Sequence, residues 1–444
     1  MAKTCQPGAP NKPPENSPQT SSRGAQRASG RFRCVAAAAA FFFLSCLTAN
    51  ICHAQNHDVI CRDGEGDFRS EFRTGVKVHV GAARSEGLAT RVCAATLSWN
   101  EQNLEIASAV AQLDVDAFGV DLGVGVPVVA FQVKKSAAEC CMVYKIYSLR
   151  EPPALLRSIS GGEFFSAADT DLDGRVEIWT DDAAAVAGFE NIRSGDLDFA
   201  PPIVLRFARR RLLDASSEFQ PYFDQKIAEE RAKLNPQDLA DFKSSDGKLG
   251  STSALPPVRI IQLRSVKIRV LEIIWAYLYS GREQEAWQSL ADMWPTADVD
   301  RIRAALLGAR ARGIHTQVDG VSTAVPVGHE IHAKIFDGTT LTAATPGVTP
   351  KDVAPKLEIE MPKPILMERP RPSTALELGL AQSESLLVLV IDSAGKVRSV
   401  EVMGNPQGTD EALLNSTSQW KFIPAFSAGQ PVASRSFLGV SLKR

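Results

Sequence analysis

The apolar residues change their spacing along the chain, and that change limits the fold more than any single residue does. From about Asp58 to Phe207 they alternate: Val76, Val78 and Val80 stand against Lys77 and His79, and VPVVAFQV (126–133), CMVYKIYSL (141–149) and IVLRF (203–207) follow. A period of two sends successive side chains to opposite faces of a strand, so this stretch is read as β structure. Beyond Phe219 the period becomes helical. Val266, Val270, Ile273 and Tyr277 share a face, then Trp287, Leu290, Ala291 and Trp294, then Val299, Ile302, Leu306 and Ala309, with Gly281 and Pro295 at the breaks. Three amphipathic helices are expected, either as a plain bundle or as a tetratricopeptide-like hairpin, with Trp275, Trp287 and Trp294 in their core.

A chain of 444 residues exceeds one ordinary core. The expectation is a multidomain α+β protein. Its parts are a β-rich region over 58–215, propeller-like or a sandwich, a helical middle over 216–313, a connector over 314–375 and a compact segment over 376–444. The connector carries Pro346, Pro350, Pro355, Pro362, Pro364, Pro370 and Pro372, a density that favours a stiff, extended chain.

The front of the chain reads as an export device. Residues 1–34 form a basic leader rich in Pro, Ser, Gly and Gln, with Lys3, Lys12, Arg23, Arg27, Arg31 and Arg33 against the single acid Glu15. An apolar run from Val35 to Leu47 follows, and Cys52-His53-Ala54 supplies the small residues of a peptidase site. Residues 35–54 are therefore a signal peptide or, with the segment extended to Ile51, an inner-membrane anchor. Either form delivers the remainder to the periplasm or cell envelope. Lys and Arg number 49 against 51 Asp and Glu, so there is no basic excess of the kind nucleic acid attracts.

Four cysteines follow Ala54: Cys61, Cys93, Cys140 and Cys141. In an exported chain they can pair, and Cys61 with Cys93 is the first candidate. Cys140 and Cys141 are adjacent, about 3.8 Å apart at Cα, below the usual disulfide range of about 4.4 Å and more. They form either a strained bond or two buried thiols.

The sharpest candidate site is Asp169-Thr170-Asp171-Leu172-Asp173-Gly174-Arg175-Val176-Glu177. Aspartates at alternate positions, with a glycine for the tight turn, can wrap oxygen ligands around a hard cation, and calcium suits such a loop. Asp169, Asp171, Asp173, the Arg175 carbonyl and Glu177 are the expected ligands. The segment over 166–179 resembles the calcium loop of integrin-like FG-GAP repeats. It departs from an EF-hand, because Thr180 stands where a bidentate glutamate is needed. Asp114, Asp116 and Asp121 look like a poorer copy 55 residues earlier, with Phe118 in the turn. His329-Glu330-Ile331-His332 has its histidines three apart, one short of the zinc-protease spacing. With no nucleophile elbow, P-loop or dinucleotide fingerprint, no catalytic residues are assigned and the chain is not read as an enzyme.

The last segment runs LLVLVI (386–391), a turn at Asp392-Ser393-Ala394-Gly395, KVRSVEVM, a helix leading to Trp420, then WKFIPA, Gly429-Gln430-Pro431-Val432 and a final strand. In this order residues 376–444 resemble the C-terminal domain of TonB-family energy transducers, which implies a ββαβ fold. The resemblance implies docking to an outer-membrane receptor or another envelope protein by strand pairing, with inner-membrane motor proteins as partners if the chain is anchored. The implied pairing edge is the last strand: Val432, Ser434, Ser436, Leu438, Val440 and Leu442. The long folded region ahead of the connector departs from that family. It leaves a second expectation, a calcium-stabilised extracytoplasmic binding or scaffold protein without energy transduction.

Overall fold

The computed structural model describes residues 59–84, 91–138, 140–192, 196–250, 255–323, 336–342, 359–360, 362–367, 384–403 and 411–441. The chain divides into Met1–Cys52 and His53–Arg444, and every described residue belongs to the second unit. The leader, the signal or anchor segment, the His329–His332 motif and Leu442 lie outside the described residues. Among the described residues no helix is long and apolar enough to cross a membrane.

The β-rich region is a succession of up-and-down antiparallel meanders. A short β1 (Cys61–Arg62) precedes the first, made of β2 (Asp67–Glu71), β3 (Lys77–Arg84), β4 (Arg91–Trp99) and β5 (Gln102–Val110). The second contains β6 (Gln112–Val120), β7 (Val128–Lys134), β8 (Met142–Ser148) and β9 (Leu155–Gly162), with β1 paired to β6. The third contains β10 (Phe165–Ala168), β11 (Glu177–Asp181), β12 (Pro202–Ala208) and β13 (Arg211–Asp214), with the short helix α1 (Ala183–Val186) between β11 and β12. The alternation seen in the sequence is realised in β3, where Val78 and Val80 are buried and Lys77 is exposed. Strand β6 differs. From Leu113 to Val120 it is buried on both faces, Asp114 and Asp116 included.

That burial corrects the internal comparison. Asp114 and Asp116 lie inside a strand, not in an acid-rich turn, and Phe118 packs edge-on against Phe68 and Phe72. The turn belongs to Asp121, whose Oδ1 accepts from the backbone N–H groups of Gly123, Val124 and Gly125 at 2.8–2.9 Å.

The helical middle holds α2 (Gln220–Lys233), α3 (Pro236–Lys243), α4 (Pro257–Tyr279), α5 (Glu283–Met293) and α6 (Val299–Arg310). Two more helices form than the periodicity announces. The buried face of α2 is only Phe223, Ile227 and Glu230, too sparse to read as a stripe, and α3 is started by Asn235, whose side chain caps Gln237 and Asp238. Trp275 and Trp294 are buried in the core, whereas Trp287 is half-exposed, with Arg303 stacked on its ring. The chain leaves the helices through β14 (Gly320–Val321), which pairs in parallel with β13: Leu213 faces Gly320 and Asp214 faces Val321.

The described parts of the connector are not a free spacer. They form β15 (Phe336–Thr342), β16 (Ile359–Glu360) and β17 (Lys363–Leu366). The C-terminal segment adds β18 (Glu384–Ile391), β19 (Val397–Met403), a helix (Glu411–Thr417), β20 (Lys421–Ile423), β21 (Ala425–Ser427), β22 (Gln430–Val432) and β23 (Ser434–Ser441). Pro424 splits WKFIPA between β20 and β21. Beyond β14, each connector strand pairs with this segment: β15 with β23, β16 with β21 and β17 with β20. The main sheet runs β15-β23-β18-β19 around a core of Leu387, Leu389, Ile391, Leu413, Trp420, Phe422 and Leu438.

Cys61 and Cys93 form a disulfide, with sulfurs 2.09 Å and Cα atoms 5.9 Å apart. Cys140 and Cys141 are also bonded to each other, and Cys140 is exposed, so the pair is not two buried thiols.

Candidate functional site

The acidic motif forms the turn between β10 and β11, and its shape follows from its residues. Gly174 sits at φ 83°, where a glycine is unstrained, and Leu172 takes φ 58° with its side chain buried. The aspartates tie the turn together: Asp171 accepts from the N–H of Asp173 at 3.2 Å, Asp173 from that of Arg175 at 2.7 Å, and Asp169 from that of Gly174 at 3.1 Å. Glu177 accepts from the N–H of Thr170 at 3.0 Å. Carboxylate oxygens of Asp169, Asp171 and Asp173 all fall within 4.8 Å of one another.

Three buried oxygens in this turn have no hydrogen-bond partner: Asp169 Oδ1, Asp171 Oδ2 and Glu177 Oε1. Glu177 is fully buried, and its nearest cation, Arg206 Nη1, stands at 3.8 Å while Arg206 bonds to Glu218. Burial, reinforced by neighbouring carboxylates, pushes the Asp169 carboxyl up to about 6, and pushes Asp171 and Glu177 above their ordinary range. Leaving buried charges without partners costs free energy, so the arrangement fits a hard cation supplied from outside. Arg175 takes part through its side chain, which bonds Asp173.

The same turn is a docking point for the C-terminal sheet. Asp169 donates its N–H to Asp392 Oδ2 at 3.0 Å, and Ser393 Oγ donates to Asp169 Oδ2 at 2.8 Å. Arg398 donates to the Thr170 carbonyl at 3.0 Å. Asp392 and Ser393 are the first residues of the turn between β18 and β19, and Asp392 Oδ1 organises that turn by accepting from the N–H groups of Ala394 and Lys396. Gly395 is required there, since at φ 86° an added Cβ would lie 1.8 Å from the Phe422 carbonyl oxygen. Asp392 is fully buried, which raises its carboxyl above the usual range.

Two further ion pairs seat the sheet on β6. Lys396 bonds Asp116 and Lys421 bonds Asp114, and all four side chains are mostly buried. Tyr144 also donates to Asp116, at 2.7 Å. Ile365 of β17 and Ile423 of β20 pack against the core of the first two meanders. Arg73 donates to the Gly429 carbonyl at 3.0 Å and lies over the Phe426 ring.

The expected pairing edge is placed differently. Strand β23 has β18 on one side and β15 on the other, so Ser434, Ser436, Leu438 and Val440 belong to an internal strand and Val432 to β22. Among the described residues that sheet ends at β15 and β19. An extended partner cannot add to β23 while β15 holds its place.

A second carboxylate cluster, unannounced by any motif, lies on the helices. Asp198, Glu230 of α2 and Glu272 of α4 bring their oxygens within 4.8 Å. Lys233 bonds Asp198 at 2.8 Å and Glu230 at 2.6 Å, and Arg269 bonds the same two at 3.0 and 2.8 Å. These cations neutralise Asp198 and Glu230, while Glu272 Oε2 is buried without a partner. Glu272 accepts from the N–H groups of Asp198 and Phe199, and burial lifts its carboxyl to about 8.

Fold and site together define a mixed α+β chain whose acidic turn and C-terminal sheet meet at one buried junction. No protein-family profile, curated protein or solved structure matches the chain.

Proposed function

We propose that the chain is a calcium-stabilised extracytoplasmic binding or scaffold protein, in which a TonB-like C-terminal sheet is a fixed part of the body and not an arm on a spacer. The single observation that carries this reading is the pairing of β23 on both sides, by β18 and β15. An energy transducer that captures a receptor segment on its last strand needs that strand's edge free. The unpartnered oxygens of Asp169, Asp171 and Glu177 support calcium as the ion. The partner is an envelope protein, and the basic leader with its apolar run supports export.

The test is titration of chelator-treated protein with calcium, followed by heat and by melting temperature. Saturable binding at one site, with a rise in melting temperature that Asp169→Asn removes, is expected. A flat titration would sink the calcium part of the reading. Capture of a receptor peptide that forms backbone bonds to β23, seen as new strand contacts by NMR, would instead favour the transducer.

A further inference from the structure

We propose that a divalent cation in the Asp169–Glu177 turn acts as a clasp, fastening the β18–β19 turn to the β-rich region and letting it loosen when the ion leaves. The inference rests on the calcium reading above and adds its consequence for the C-terminal sheet. Asp169 is the shared residue. One of its carboxylate oxygens accepts from Ser393 Oγ, its N–H donates to Asp392, and its other carboxylate oxygen is buried without a partner. A cation bound to that free oxygen fixes the carboxylate that Ser393 must meet.

Charge points the same way. Without the ion, Asp169, Asp171, Asp173 and Glu177 gather beside Asp392; Arg175 bonds Asp173, and Arg206 stands 3.8 Å from Glu177 while bonded to Glu218. Like charges at such range repel, and low dielectric enlarges the effect. A divalent ion offsets two of these charges at the place where the sheet is attached.

The clasp is local, because apart from Arg398 on the Thr170 carbonyl the other attachments do not involve the turn. Lys396 on Asp116, Lys421 on Asp114 and the packing of Ile423 hold whether or not the ion is bound. Loss of the ion is therefore expected to loosen Asp392, Ser393 and Ala394, while β20 stays seated and keeps Gly395 through the Phe422 N–H.

Hydrogen–deuterium exchange on the full chain, in calcium chloride or in chelator, reads this directly. The reporters are the amides of Ala394, Gly395 and Lys396, each hydrogen-bonded to Asp392 within the turn. Calcium is expected to slow peptides spanning 387–397 at least about tenfold while changing those spanning 421–427 less than about twofold. Asp171→Asn, which removes a ligand without touching the junction, should abolish the difference. Ser393→Ala should keep the heat of calcium binding and lose most of the protection. Calcium binding with unchanged exchange at 387–397, or with equal slowing throughout the body, overturns the clasp and leaves the calcium reading standing. No calcium binding at all overturns both.

Discussion

Two clusters of three carboxylates sit in this molecule at the same close spacing, and their surroundings differ. In the β10–β11 turn, Asp169, Asp171 and Asp173 come from one short stretch and leave buried oxygens unpartnered, with Arg175 reaching only Asp173 by direct bonding. On the helices, Asp198, Glu230 and Glu272 come from three separate segments, and Lys233 and Arg269 are shared between the first two. Close acids alone do not make an ion site. What differs is how the chain supplies cations: Lys233 and Arg269 meet two of the three helical carboxylates and leave Glu272 Oε2 without a partner, whereas the turn meets only Arg175, on Asp173, and Arg206, 3.8 Å from Glu177.

The comparison can be broken at either cluster, and the largest effect belongs to the helical one. Glu272 has its carboxyl raised from 4.5 to about 8 by burial first and then by Glu230 and Asp198, with Lys233 and Arg269 nearby. A carboxyl raised in the folded state binds its proton more tightly there, so stability falls as pH rises from about 4.5 through about 8. Glu272→Gln keeps an uncharged side chain of the same shape. It should be more stable than the parent at pH 9 by on the order of 4 kcal/mol in urea unfolding, and equal to it near pH 4.

Next in size, Glu230→Ala leaves Arg269 and Lys233 with Asp198 alone, and should cost about 3 kcal/mol, unchanged by calcium or chelator. In the turn the signs reverse. Calcium at a hundred times its dissociation constant should add about 2.7 kcal/mol to the parent and nothing to Asp171→Asn. The calcium-free variant should be at least as stable as the calcium-free parent, since a half-buried carboxylate crowded by Asp173, with its Oδ2 unpartnered, has lost its charge. The smallest effect is that of Ser393→Ala, about 1 kcal/mol for one buried hydrogen bond. If Glu230→Ala became calcium-dependent, or Asp171→Asn destabilised the chelated protein, the contrast between the clusters would fail.

How far the sequence was legible depends on the range of the interaction. Alternation and helical period located the β-rich region, the helical middle and the C-terminal strands, because they depend on neighbours a few residues apart. The acidic turn was legible for the same reason: Asp169 to Glu177 closes on itself. Its role in the junction was not, since Asp392 and Ser393 lie more than 220 residues further on. Asp114 and Asp116 read as a turn, because the partners that make their burial in β6 tolerable, Lys421 and Lys396 among them, are also remote. The internal position of β23 could not be read either, because its second neighbour, β15, comes from a stretch that proline density had marked as spacer.

The parallel pairing of β14 on β13 has a bearing on how such a chain can be cut and rebuilt. Entry to and exit from residues 215–319 are neighbouring strands, with Leu213 beside Gly320, Asp319 donating its N–H to the Leu212 carbonyl at 2.7 Å, and Leu212 donating to the Asp319 carboxylate. Adjacent strands lie about 4.8 Å apart, so a few residues can bridge the two ends. The helical stretch thus enters and leaves at one edge of a sheet, and it is held besides by Tyr279 on Asp182, Lys267 on Glu190 and Glu272 on Asp198. Because the entropy of closing a loop grows only slowly with its length, this edge itself sets little limit on the size of an insert; what a replacement must make good are the helices' bonds to Asp182, Glu190 and Asp198.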